Sequence, residues 1–321
     1  MPKTNASAKT SARRQEFNRS NAQQQKTSVR KSTGLKLPEP THVGHFIVMV
    51  IMKICRSILF VDTGVKIGVY LIGVMICSII CDLFVVPRTY MSEKHNILNK
   101  YFVKLGWAWT LTFVTAYIIL TSLVYCCNNV AKMCQHILRV AVGTLLWYTC
   151  TSLFLHVESI VGVCTANSHD NKTACMDAGK NWLGFDISGH VFLEMHSLLT
   201  ISEEVKTFKY WAKLGKILED ENLSERRPLS EEEIGQARMN YRTLTPYIKA
   251  IIVVLAIMMV LFEVMLFFTT IYRFHTLPQK VSASFVAVGC WFLSYQILYK
   301  SGNPFPFMPV SPGVSPLQFM K

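Results

Sequence analysis

Two histidines stand where apolar runs begin. His190 closes Ser188-Gly189-His190 inside GFDISGHVFLEMHSLL (184–199), and His275 lies in IYRFHTLPQKV (271–281). Imidazole suits phosphoryl transfer near neutral pH. With an unperturbed pKa of about 6.5 it serves as a neutral nucleophile or as a protonated acid, and a pair can divide the two roles. A Ser-Gly-His at a helix start adds a site for an anion. First-turn N–H groups and the positive dipole end attract negative charge, and glycine allows a phosphate close approach. Lys180, Arg273 and Lys280 are the cations nearby in sequence. Ser188, Gly189 and Lys280 are assigned here to substrate binding. Asp186 or Ser188 reads as the helix N-cap, a role that does not exclude function. Glu194, one turn after His190, shares its face; His196, six residues on, should face elsewhere. None of the ten cysteines forms a C-x-x-C pair, so no metal site and no cofactor is expected.

These residues need a scaffold, and composition says which kind. Of 321 residues 51% are hydrophobic, and the mean hydropathy is +0.29 even with a polar N-terminus. Long uncharged runs predict an all-α polytopic membrane protein. Six transmembrane helices are placed at 65–86, 103–125, 139–160, 188–205, 248–270 and 281–299, the fourth being the least hydrophobic. Residues 1–42, rich in Ser, Asn, Gln and Lys, read as a disordered basic tail. Residues 43–64 carry Lys53 and Arg56 inside an apolar stretch and read as an interfacial amphipathic segment with snorkelling cations. The membrane domain is 65–300, and 301–321 is a C-terminal tail.

The net charge is +13, and Lys and Arg cluster in the N-terminal tail and in 206–249, nine in each. By the positive-inside rule both face the cytosol, and six spans then place both termini there. No basic fold interleaved with aromatics is present, so a nucleic-acid partner is excluded. Loops 87–102, 161–187 and 271–280 face the other side. Asn171-Lys172-Thr173, an N-glycosylation sequon, falls in one of them. Cys164 and Cys175 share that loop; oxidising conditions would pair them, and two free thiols are the alternative. His190 and His275 then lie at the same depth on the lumenal face.

Lys132 and Arg139 match the Lys-x6-Arg start of the first lipid-phosphatase motif, but Val140 replaces its proline. They also lie on the cytosolic side, about 30 Å from the histidines. The match is rejected.

The segments YMSEKHNILNKYFVKLGWAWT (90–110), VGTLLWYTCTSLF (142–154), GFDISGHVFL (184–193) and FHTLPQKV (274–281), in this order, resemble the fat storage-inducing transmembrane proteins over 65–299. The resemblance implies a lipid-phosphatase-like, multi-pass protein of the endoplasmic-reticulum membrane. It implies a fatty acyl-CoA diphosphatase that yields acyl-4′-phosphopantetheine and adenosine 3′,5′-bisphosphate and supports lipid-droplet formation, with His190 and His275 catalytic. Triacylglycerol, diacylglycerol and membrane lipids are the further implied partners. The rival reading is a non-catalytic protein that binds these neutral lipids and organises droplet formation. Against the lipid-phosphatase motif Ser-Arg-x5-His-x3-Asp, Phe268 and Thr269 replace Ser-Arg, and Gln279 replaces the aspartate that would orient the nucleophile.

Overall fold

A computed structural model of the chain describes residues 43–84, 87, 89–93, 95–165, 171–272, 275–300 and 308–320. The expected tail 1–42 and Arg273 lie outside them. The chain divides into two compact units at Val48/Met49, and of the first only Val43–Val48 is described, as the opening turns of helix α1 (Val43–Leu59).

Helices follow from the apolar runs: α2 (Thr63–Leu83), α3 (Gly106–Tyr125), α4 (Val130–Val161), α5 (Lys172–Asp177) and α6 (Gly189–Glu204). Three short helices, α7 (Lys206–Lys209), α8 (Trp211–Leu218) and α9 (Leu223–Arg226), lead to α10 (Glu231–Ile271). Last comes α11 (Leu277–Trp291), prolonged by a π turn, Phe292–Leu298. The strand content among the described residues is one antiparallel pair, β1 (Val163–Cys164) with β2 (Trp182–Leu183). Five helices, α2, α3, α4, α10 and α11 with its π turn, are long and apolar enough to cross a membrane. The all-α, multi-pass membrane class is therefore the observed one.

The remaining expected span, 188–205, is where α6 forms. It has only 16 residues, and the reason lies in its surroundings. It packs against α2, α3, α4, α10 and α11, and nearly every residue from Val191 to Glu204 is buried, Glu194, His196, Ser197, Ser202, Glu203 and Glu204 among them. A helix enclosed by protein has no lipid to face, so it keeps polar side chains as long as neighbours satisfy them. His196 illustrates this: its Nε2 is 3.1 Å from the Gly143 carbonyl, and its ring lies against Phe192 and Trp107.

Close approach at the top of the bundle depends on one glycine. A Cβ at Gly106 would lie 2.6 Å from Leu193 and 3.0 Å from Phe262, so α3 meets α6 and α10 through bare backbone. Gly106→Val should destabilise the bundle by about 1–3 kcal/mol through overpacking. Thermal unfolding in detergent measures this.

The other end of α6 holds a buried ion pair. Arg139 meets Glu204 through two bonds, Nε to Oε1 at 2.7 Å and Nη2 to Oε2 at 2.6 Å, and Tyr295 donates to Glu204 at 2.8 Å. Arg139 Nη1 also donates to the Val310 carbonyl at 2.9 Å, and His136 Nε2 reaches the Val314 carbonyl at 2.9 Å. The described part of the C-terminal segment is thereby held on the bundle, with Leu317 and Phe319 fully buried. Glu204→Ala would leave the Arg139 charge uncompensated. A loss of about 3–5 kcal/mol is expected, and release of residues 308–320 should show as new cleavage in limited proteolysis.

In α1, Lys53 and Arg56 are both exposed, while Cys55 and Leu59 pack into the core. Arg56 lies 5.9 Å over the Phe208 ring.

Candidate active site

At the end of α6 opposite the Arg139 pair, a cavity of about 280 Å³ opens between three walls. Asp186, Ser188 and His190 form one, at the start of α6. Met265, Phe268, Thr269 and His275 form the second, at the junction of α10 and α11. Met91, Glu93, Asn96, Asn99 and Lys104 form the third, in the connection from α2 to α3.

Local capping fixes the two histidines. Ser188 is the N-cap of α6, its Oγ accepting the Val191 N–H at 3.4 Å. Its own N–H donates to the Gln279 carbonyl at 3.2 Å, which hooks the start of α6 to the first turn of α11. In that turn the Thr276 N–H donates to Gln279 Oε1 at 2.9 Å, completing a capping box. His275, one residue before this cap, is brought against Asp186: its Nδ1 lies 3.2 Å from the Asp186 carbonyl oxygen and 3.6 Å from Oδ2. With Nδ1 engaged, Nε2 is the nitrogen left for the cavity. His190 is mostly buried, and its Nε2 has no hydrogen-bond partner.

The third wall is built, not loose. Asn96 is buried; its Nδ2 donates to the Met91 and Glu93 carbonyls, and its Oδ1 accepts the Asn99 N–H at 2.7 Å. The Thr89 and Tyr272 hydroxyls, 2.5 Å apart, tie this connection to the end of α10. Behind the second wall, Thr269 donates to Glu194 Oε2 at 2.8 Å, while Glu194 Oε1 is buried with no partner. On the outer side a Cys164–Cys175 disulfide closes the loop that delivers β2 and then Asp186; the pairing is the one expected from the sequence.

Of the residues singled out in the sequence, His190, His275 and Ser188 converge on the cavity. Gly189 and Lys280 do not line it. A Cβ at Gly189 would meet nothing within 4 Å, so no close approach demands glycine there. Lys280 is fully buried; its Nζ donates to the Thr270 and Tyr272 carbonyls at 2.7 and 3.1 Å, closing the C-terminal end of α10. Lys180 is exposed and also lines no wall. Lys104 is the described cation that does line the cavity. The aspartate lacking at Gln279 has a counterpart in Asp186, since Gln279 is committed to the cap.

An imidazole held by a carboxylate and a carbonyl, beside a second, unpartnered imidazole, can transfer a phosphoryl group through a covalent intermediate. Among the described residues no group of three His, Cys, Asp or Glu side chains could hold a metal ion.

An all-α, multi-pass membrane protein with a two-histidine cavity at one bundle end is the class thus defined. The model of the fat storage-inducing transmembrane protein family matches residues 87–164 and 162–295, and the chain belongs to this family. Relatives named acyl-coenzyme A diphosphatase FITM2 agree. That of Homo sapiens is 30% identical over 74% of this chain and 81% of its own length. That of Drosophila melanogaster is 31% identical over 84% of this chain. The chain spans 66% of the fly relative's length. No solved structure matches it.

Proposed function

We propose that this chain is a fatty acyl-CoA diphosphatase acting at the histidine cavity, as the name of its relatives indicates for them. The observation that carries the residue assignment is the pair of rings on one cavity: His275 held through Nδ1 at Asp186, and His190 with a buried, unpartnered Nε2.

His275 Nε2 attacks phosphorus of the CoA pyrophosphate, and an N–P bond forms as the bridging P–O bond breaks. Protonated His190 gives its proton to the departing phosphate oxygen. It then takes a proton from water as water hydrolyses the phosphohistidine. Asp186 holds the His275 ring and supports the charge that develops on it. Lys104 and the free N–H groups of the first turn of α6 receive phosphate charge. Products are acyl-4′-phosphopantetheine and adenosine 3′,5′-bisphosphate. Ser188 positions α6. Acid quench destroys phosphohistidine, so alkaline quench during turnover and peptide mapping is the test. Label should appear on the peptide carrying His275; label on His190, with His275 unlabelled, would reverse the roles.

The cavity faces the lumen of the endoplasmic reticulum and both termini face the cytosol. The support is charge: Lys206, Lys209, Lys213, Lys216 and Arg238 belong to elements at the bundle end opposite the cavity, where the positive-inside rule puts the cytosol. The activity thereby serves lipid-droplet formation. Acyl chains lie among the spans. Each buried CH₂ adds about 0.8 kcal/mol, so oleoyl-CoA should show a lower KM than octanoyl-CoA.

A second reading has its own observation. An open apolar groove of about 610 Å³ runs between α3 and α4, lined by Leu111, Ile137, Val140, Leu145, Trp147 and Tyr148. It suits the acyl chains of diacylglycerol, triacylglycerol or membrane lipids, and neutral-lipid binding there needs neither histidine.

Asp186→Asn keeps the carbonyl contact and removes the charge. An exposed pair at this range is worth about 0.2–1 kcal/mol, so a few-fold fall in kcat with unchanged KM is expected in steady-state assays.

A further inference from the structure

We infer that Asn171 is the one glycosylated asparagine of this chain, although four Asn-x-Ser/Thr triplets occur in it. They are Asn5-Ala6-Ser7, Asn18-Arg19-Ser20, Asn171-Lys172-Thr173 and Asn222-Leu223-Ser224. A sequon alone says little, because accessibility and membrane side decide whether it is used. For the two sequons among the described residues the fold settles accessibility and places them at opposite ends of the bundle.

Asn171 and Thr173 are exposed. Asn171 Oδ1 accepts both the Thr173 N–H at 3.1 Å and the Thr173 hydroxyl at 3.0 Å. Asparagine and hydroxyl are thus already adjacent, and the amide Nδ2 is directed away from the oxygen that these bonds occupy. Lys172 pairs with Glu158 at 2.6 Å, and the Cys164–Cys175 disulfide closes the same loop. That bond belongs to an oxidising compartment, the one in which glycan transfer takes place.

Asn222 is exposed too, but it immediately precedes α9, which leads into α10 at Glu231. The far end of α10, at Thr269, borders the cavity. Helix α10 has 41 residues, a length of about 60 Å at 1.5 Å per residue, twice a hydrocarbon core of about 30 Å. Asn171 lies on the cavity side: α4 ends at Val161 beside the loop, and Trp182 donates to the Glu158 carbonyl two residues before Gly184. The two sequons therefore face opposite compartments and cannot both be modified. Asn5 and Asn18 lie outside the described residues; the proposed orientation turns the N-terminus to the cytosol.

The transfer balances simply. Asn171 Nδ2 forms a bond to the anomeric carbon of an oligosaccharide carried on a polyprenyl diphosphate. The carbon–oxygen bond to diphosphate breaks, its electron pair leaves with the diphosphate, and the amide proton passes to a base of the transferring enzyme.

The inference rests on the proposed lumenal orientation of the cavity but not on its chemistry. The full chain is expressed in eukaryotic cells, and its mobility is compared before and after an amidase that removes Asn-linked glycans. One glycan is expected, lost in Asn171→Gln and Thr173→Ala, kept in Thr173→Ser and unchanged in Asn222→Gln. A glycan that disappears with Asn222→Gln, Asn5→Gln or Asn18→Gln would overturn the inference and turn the cavity to the cytosol. An unmodified wild-type chain would also overturn it. Acyl-CoA hydrolysis by the same purified samples is read separately, so a failed glycan assignment and a failed hydrolase reading are told apart.

Discussion

Purified His275→Ala protein is expected to hydrolyse oleoyl-CoA no faster than buffer. In the proposed mechanism this variant lacks the nucleophile and with it the covalent route, and no other described side chain in the cavity is held to replace it. His275 sits outside the helices, one residue before the cap of α11, and its Nδ1 contacts a carbonyl and a partly exposed carboxylate. Its truncation leaves no buried charge, so expression, membrane insertion and melting temperature should stay close to wild type. A variant that is folded and still active would remove His275 from the mechanism.

His190→Ala should be impaired by about 10²–10⁴-fold, the usual worth of general acid catalysis. The two losses differ in kind, and a change of leaving group separates them. A phosphopantetheine analogue that expels a nitrophenolate needs no proton donor. With it, His190→Ala should regain most of the wild-type rate, while His275→Ala should remain inactive. Equal rescue of both, or of neither, would contradict the division of roles. The variant loses no hydrogen bond at Nε2, which has no partner.

Much of the membrane scaffold is legible in the sequence because lipid-facing helices must be apolar along their length. The limits of that signal are equally physical. Helix α10 begins at Glu231, well before the apolar run at 248, because the capping box of Ser230 and Glu233 starts a polar helix that simply continues into the membrane. Helix α6 gives a weak signal because it is enclosed, so burial no longer requires hydrophobicity. His190 and His275 are visible as polar residues at the borders of apolar runs.

Lys280 shows where such reasoning fails. A cation near a candidate phosphate site is as well suited to a helix C-terminus, and only packing distinguishes the two; here Nζ is taken by the Thr270 and Tyr272 carbonyls. Asp186 and Lys104 carry the opposite lesson. Both lie within the segments that resemble the family, yet neither stands at a spacing that marks it. Asp186 comes to His275 from 89 residues away, and Lys104 reaches the cavity because Asn96 folds its connection into a wall. A short connection that carries Glu93, Asn96, Asn99 and Lys104 between two apolar spans was the available signal.

The most direct test of the central claim is product identification by mass spectrometry after incubating the purified protein with oleoyl-CoA. Oleoyl-4′-phosphopantetheine and adenosine 3′,5′-bisphosphate should accumulate in equal amounts with the wild-type chain, and neither should form with the folded His190→Ala/His275→Ala protein. Intact oleoyl-CoA after incubation with folded wild-type protein, release of oleate and CoA instead, or wild-type-like cleavage by the double variant would each contradict a diphosphatase centred on these two histidines.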